Sequence, residues 1–94
     1  MDILDKIYKK SDSIVSRKIA GEFILVPIRQ NVGDLENIYT LSEVAARIWE
    51  LIDGKRKIGE IKTKIIEEFE VAPEKAQKDI TEFLQRLEGI KAIK

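Results

Sequence analysis

The chain has 94 residues, with seventeen Lys and Arg balancing seventeen Asp and Glu, and it contains neither cysteine nor histidine. That length suits one domain around one core, and a zero net charge argues against a general binder of nucleic acid or anionic membrane. The missing residue types exclude disulfides, thiolate metal sites, a cysteine nucleophile and the usual imidazole base.

No apolar run approaches the roughly 20 residues of a membrane span. The first residues alternate acidic, apolar and basic, which leaves no signal-peptide core, so the expected location is cytoplasmic. In residues 1–12, Ile3, Leu4, Ile7 and Tyr8 have the spacing of one face of a short helix, with Asp2 as its N-cap; a frayed terminus is the other reading. Residues 14–19 read as a strand, Ala20-Gly21 as a turn and 22–28 as a second strand. The continuous run Phe23-Ile24-Leu25-Val26 predicts cover on both faces of that strand, and Pro27 predicts the end of its ladder. Residues 29–36, with Gly33-Asp34, read as a loop. Residues 38–41 are the third strand of an antiparallel meander.

Ser42 is a favourable N-cap for a helix over 42–53. Val44, Ala45, Ile48, Leu51 and Ile52 make its apolar stripe, Trp49 borders it as a core aromatic, and Gly54 ends it. After the basic turn Lys55-Arg56-Lys57, a second helix spans 59–69, with Ile58, Ile61, Ile65, Ile66 and Phe69 on its apolar face. Pro73 opens a third helix running to 88, with Ala76, Ile80, Phe83, Leu84 and Leu87 inward and Gly89 as its C′ residue. Residues 90–93 are a short tail tucked on the core. The expected fold is α+β and winged helix-turn-helix-like: a three-stranded antiparallel sheet (13–41) followed by three helices (42–89), as one domain over 1–94.

Chemistry is sparse. The acid pairs Glu67-Glu68 and Asp79 with Glu82 have basic neighbours and read as solvated faces; an acid–base pair would need burial to separate its two pKa values. Gly54 and Gly59 lack the spacing of a phosphate loop. Asp34 and Glu36 are too few for a hard cation. The pattern therefore predicts no enzyme, no metal and no cofactor. One basic cluster, Lys55, Arg56, Lys57, Lys62 and Lys64 around Glu60, raises a winged-helix nucleic-acid binder as an alternative. Against it, the third helix mixes Lys75, Lys78 and Arg86 with Glu74, Asp79, Glu82 and Glu88, which repels phosphate about as much as it attracts.

The stretches Leu25-Val26-Pro27-Ile28 and Ile38-Tyr39-Thr40-Leu41-Ser42-Glu43-Val44-Ala45-Ala46-Arg47-Ile48-Trp49-Glu50-Leu51-Ile52-Asp53-Gly54-Lys55-Arg56 resemble the PqqD family, the coenzyme PQQ synthesis protein D group. Ile58-Gly59-Glu60-Ile61, Phe69-Glu70-Val71, Asp79-Ile80, Phe83-Leu84 and Leu87-Glu88-Gly89-Ile90 follow in that family's order. The likeness covers about 13–93, and Ser42 stands where the family often has Asn. The resemblance implies the same sheet-then-helices fold and the role of a RiPP recognition element. Such a domain is a peptide chaperone: it binds the leader of a ribosomally made precursor peptide and presents it to a modifying enzyme, often a radical SAM enzyme. It does not imply PQQ itself. In the family the leader pairs with the third strand beside the third helix. Carried over, the strand is Glu36, Asn37, Ile38, Tyr39 and Thr40. The groove wall is Lys75, Ala76, Asp79, Ile80 and Phe83, with Lys75 and Asp79 for charges on the peptide and Ile80 and Phe83 for its apolar anchors. The same open edge also allows a homodimer.

Overall fold

The sheet starts from a turn that only a few residue types make comfortably. Ala20 (φ 52°) and Gly21 (φ 83°) are both left-handed, which gives the hairpin a twist matching that of its strands. In the computed structural model, which describes residues 2–27 and 38–94, this turn joins β1 (Ile14–Ile19) to β2 (Glu22–Pro27), and β3 (Tyr39–Leu41) completes an antiparallel sheet of order β1-β2-β3. Ser16 pairs with Leu25 and Leu25 with Tyr39, while Phe23 pairs with Leu41. Paired residues share a face, so Leu25, Phe23, Tyr39 and Leu41 lie together on the side that meets the helices.

The other face carries Val15, Ile24 and Val26, none of which joins the core cluster. Cover on both faces of 23–26 is thus found on one face only among the described residues. The predicted loop over 29–36, and Ile28 as a strand end, fall outside them.

Three helices follow: α1 (Glu43–Leu51), α2 (Ile58–Phe69) and α3 (Pro73–Gly89). Ser42 caps α1, its Oγ accepting from the Ala45 N–H at 3.1 Å. The helix ends at Leu51, before the predicted Asp53. Ile52 turns extended into the core, and the Asp53 carboxylate accepts from the Lys55 and Arg56 N–H groups at 2.9 Å each. Glu60 accepts from the Lys57 N–H at 2.9 Å, closing the start of α2. No described helix is long and apolar enough to cross a membrane.

Two local expectations give way. Helix α3 runs through Gly89, and the left-handed residue after it is Lys91 (φ 58°). The N–H of Lys91 reaches the Glu88 carbonyl at 3.1 Å and that of Ala92 the Leu87 carbonyl at 2.8 Å. That two-bond pattern is a Schellman closure, and it drives Ala92 (0% exposed) into the core. The first dozen residues are not a helix beyond one 3₁₀ turn, Ile3–Asp5, capped by Asp2 as expected. From Lys6 on the chain is extended. The Lys6 and Tyr8 carbonyls accept from the N–H groups of Ile58 and Gly54 at 2.9 Å each. Lys9 and Lys94 exchange two bonds, at 3.1 and 2.9 Å, and the Ser11 N–H donates to the Ala92 carbonyl at 2.7 Å. Both edges of this segment are used, so its polar backbone is better satisfied than one turn of helix would leave it. Tyr8 is buried and Ile7 lies out. Gly59 permits the approach: a side chain there would meet the Leu4 carbonyl oxygen at 3.2 Å.

The core is Leu25, Ile48, Ile52, Ile58, Ile61, Ile65, Ile80, Leu84 and Leu87, each under 2% exposed. Trp49 is 3% exposed, with the Lys10 ammonium 5.4 Å from its ring centroid, a cation–π contact. Truncation of Trp49 to Ala is expected to cost about 3–5 kcal/mol in urea unfolding; an unchanged midpoint contradicts its burial. Replacement of Lys91 by Gly is expected to stabilise by about 0.5–1 kcal/mol, because a left-handed lysine costs more than glycine's extra chain entropy. A lowered midpoint in Lys91→Gly contradicts that ordering.

Candidate functional site

Strand β3 pairs with β2 on one side only, so its other side is a sheet edge among the described residues. The backbone of the C-terminal residues Ala92 and Lys94 is bonded to Ser11 and Lys9. An edge strand presents a row of N–H and C=O groups that another extended chain can complete.

Beneath that edge lies a groove between β3 and α3. Tyr39 and Leu41 project from β3 toward the C-terminal half of α3. With Leu25, Phe83, Leu87 and Ile90 they line an apolar cleft of about 170 Å³, to which Arg86 and Gly89 also contribute. A second, more polar cleft of about 270 Å³ continues along α3 to the start of α1, between Ser42, Val44, Ala45 and Ile48 on one wall and Asp79 and Glu82 on the other. Phe83 and Arg86 line both clefts, which makes them one continuous groove. Residues 79, 82, 83, 86 and 90 recur at helical spacing and form one strip of α3.

The sequence-predicted site residues distribute unevenly over this geometry. Ile38 (52% exposed) and Thr40 lie at the exposed edge, and Tyr39 is half-buried in the apolar cleft. Glu36 and Asn37 lie outside the described residues. Phe83 (6% exposed) is the floor shared by both clefts. Lys75 and Asp79 are bonded to each other at 3.4 Å, and only Asp79 reaches the groove. Ala76 and Ile80, 1% exposed each, pack in the core and line neither cleft. The described clefts share Asp79 and Phe83 with the predicted wall and extend further along α3 to Arg86, Leu87 and Gly89. Leu41, Glu82, Arg86, Leu87 and Ile90 also line the clefts and are not among the predicted residues. Continuing the Asp79–Phe83 face toward the C-terminus, by steps of three and four, reaches Arg86 and Ile90; that signal was in the sequence.

No polar or charged residue is buried among the described residues, and no three acidic side chains cluster there as a metal site would require. The perturbed carboxyls lie elsewhere. Hydrogen bonding to Arg47, at 2.8 Å, holds Glu68 below the usual carboxylate range, and backbone N–H groups of Arg56 and Lys55 do the same for Asp53. Arg56 also bonds Asp53 at 2.9 Å. Its guanidinium, with the Lys57 N–H, thus serves the α1–α2 turn.

A family model described as coenzyme PQQ synthesis protein D (PqqD) matches residues 22–93. No curated protein matches the chain. Among solved structures, the chain is similar to TbiB1 in complex with the TbiA(beta) leader peptide. The two are 27% identical with a TM-score of 0.74, over 92% of this chain and 94% of that one.

Proposed function

Because the chain belongs to the PqqD family, we propose that it is a non-catalytic peptide chaperone that takes the leader of a ribosomally made precursor peptide as an added strand on β3. It then presents the peptide to a separate modifying enzyme of the radical SAM class. The observation that carries this is the conjunction of an open β3 edge with an apolar groove directly below it. The fold it sits on is similar to a protein solved with a leader peptide bound.

The physical division of labour is simple. Main-chain hydrogen bonds to β3 set the register of the visiting chain, and its alternate side chains enter the groove. Successive same-face side chains of an extended peptide are about 6.8 Å apart, so two of them span the two clefts. Each backbone bond contributes only about 0.5–1.5 kcal/mol net. Burial of apolar anchors against Phe83, Leu87 and Ile90 supplies the rest, at about 25 cal/mol per Å². Asp79 and Phe83 remain the predicted contacts on α3, with Lys75 paired to Asp79 outside the clefts, and the residues further along the helix join them. A nucleic-acid role has less support, because the basic turn is engaged locally with Asp53 and α3 exposes Asp79 and Glu82 beside Arg86.

Along a paired strand, neighbouring N–H groups point to opposite sides, so of Thr40 and Leu41 one donates away from β2. Proline at each position in turn samples both. The measurement is mass spectrometry of short peptides retained by the tagged protein from its native cells, followed by anisotropy titration of the recovered peptide. The variant that loses the outward N–H is expected to stay folded by circular dichroism and to bind at least about tenfold more weakly, with affinity changing little between low and moderate salt. Two folded proline variants with wild-type affinity contradict strand addition. A steep fall of affinity with salt contradicts a peptide as the natural ligand.

A further inference from the structure

Resting on that strand-addition reading, we propose that Arg86 is the specificity-determining residue of the groove: it selects a peptide with an acidic side chain two positions from the apolar anchor. Arg86 lines both clefts, so an extended chain crossing from one to the other passes this side chain. It is exposed and makes no ion pair within 4 Å among the described residues, although Glu82 lies one turn before it on the same helix. The neighbouring groove acid, Asp79, is turned to Lys75 at 3.4 Å. By contrast, Arg47 and Arg56 are tied to Glu68 and Asp53 at 2.8 and 2.9 Å.

Spacing converts this placement into a motif. Arg86 is three residues past Phe83 and four before Ile90, and helical neighbours at those separations stand about 5–6 Å apart. An extended peptide places its next same-face side chain about 6.8 Å along. A side chain anchored in the apolar cleft by Leu87 and Ile90 therefore sets its i±2 neighbour against Arg86. The guanidinium fork matches a carboxylate with two parallel bonds. The motif reads apolar-x-acid or acid-x-apolar, depending on the direction in which the peptide runs, and the two-residue spacing is the same in both. Glu82 competes for the same guanidinium and keeps the preference moderate.

The test selects a displayed library of random dodecapeptides on the wild-type protein and on Arg86→Glu, and titrates the enriched peptides against both, against Arg86→Ala and against the proline variants at Thr40 and Leu41. Wild type is expected to enrich an acid at the position two from the apolar residue. Its peptides should weaken about threefold on Arg86→Ala and about tenfold on Arg86→Glu. Arg86→Glu should enrich Lys or Arg at that same position, and the acid-to-lysine peptide should recover affinity on it. An unchanged charge preference on Arg86→Glu, or none on wild type, overturns the assignment while binding that a proline variant abolishes leaves strand addition standing. Peptides that bind both proline variants as tightly as wild type overturn the strand-addition reading and this assignment with it.

Discussion

The hydrogen bonds between residues 9–11 and 92–94 decide what the third strand is left to do. A five-residue tail after α3, carrying Ile90, Ala92 and Ile93, has enough extended character to lie along a sheet edge. It is held elsewhere, because Lys9 and Ser11 take up its backbone groups and the Schellman turn at Lys91 aims Ala92 at the core. The first residues are held in turn by the Gly54 and Ile58 N–H groups. The N-terminal segment, the C-terminal residues and the α1–α2 turn thus satisfy one another's polar backbone. The consequence is indirect and physical: among the described residues, the backbone groups of residues 9–11 and 92–94 are bonded to one another and not to β3.

Helix α3 has to serve two surfaces at once. Ala76, Ile80, Leu84 and Leu87 close the core, while the adjacent strip with Asp79, Glu82 and Arg86 faces the groove. Phe83 stands on the boundary, 6% exposed and in contact with both. Changes at Phe83 therefore mix folding with binding. Arg86, exposed and outside the core, separates the two.

Much of the fold was legible where the signal is local. Ala20-Gly21 between two β-branched runs, Ser42 before the apolar stripe of α1, and Pro73 at the start of α3 each act through backbone geometry within a few residues, and each appears as read. The N-terminal segment was not legible in the same way. The partners that hold it extended, at 54, 58 and 92–94, are remote in sequence, and the spacing of Ile3, Leu4, Ile7 and Tyr8 also suits a helix. Gly89 misled for a related reason: a glycine near a helix end signals a left-handed cap, but the burial of Ala92 moves that cap to Lys91. For the groove, the family resemblance pointed to β3 and α3, and of the residues carried over Tyr39, Asp79 and Phe83 line the described clefts. Ala76 and Ile80 pack in the core instead, since which apolar residue faces core and which faces cleft depends on where β3 crosses. The peptide-binding role itself came from family resemblance; the residues alone offer only an edge and a groove.

Amide hydrogen exchange on the complex with the retained precursor peptide tests the central claim most directly. If the peptide joins the sheet at β3, an amide among residues 39–41 slows by at least about tenfold on binding, and those of β1 are unchanged. Protection that appears along β1 instead, or binding that protects no sheet amide at all, contradicts it.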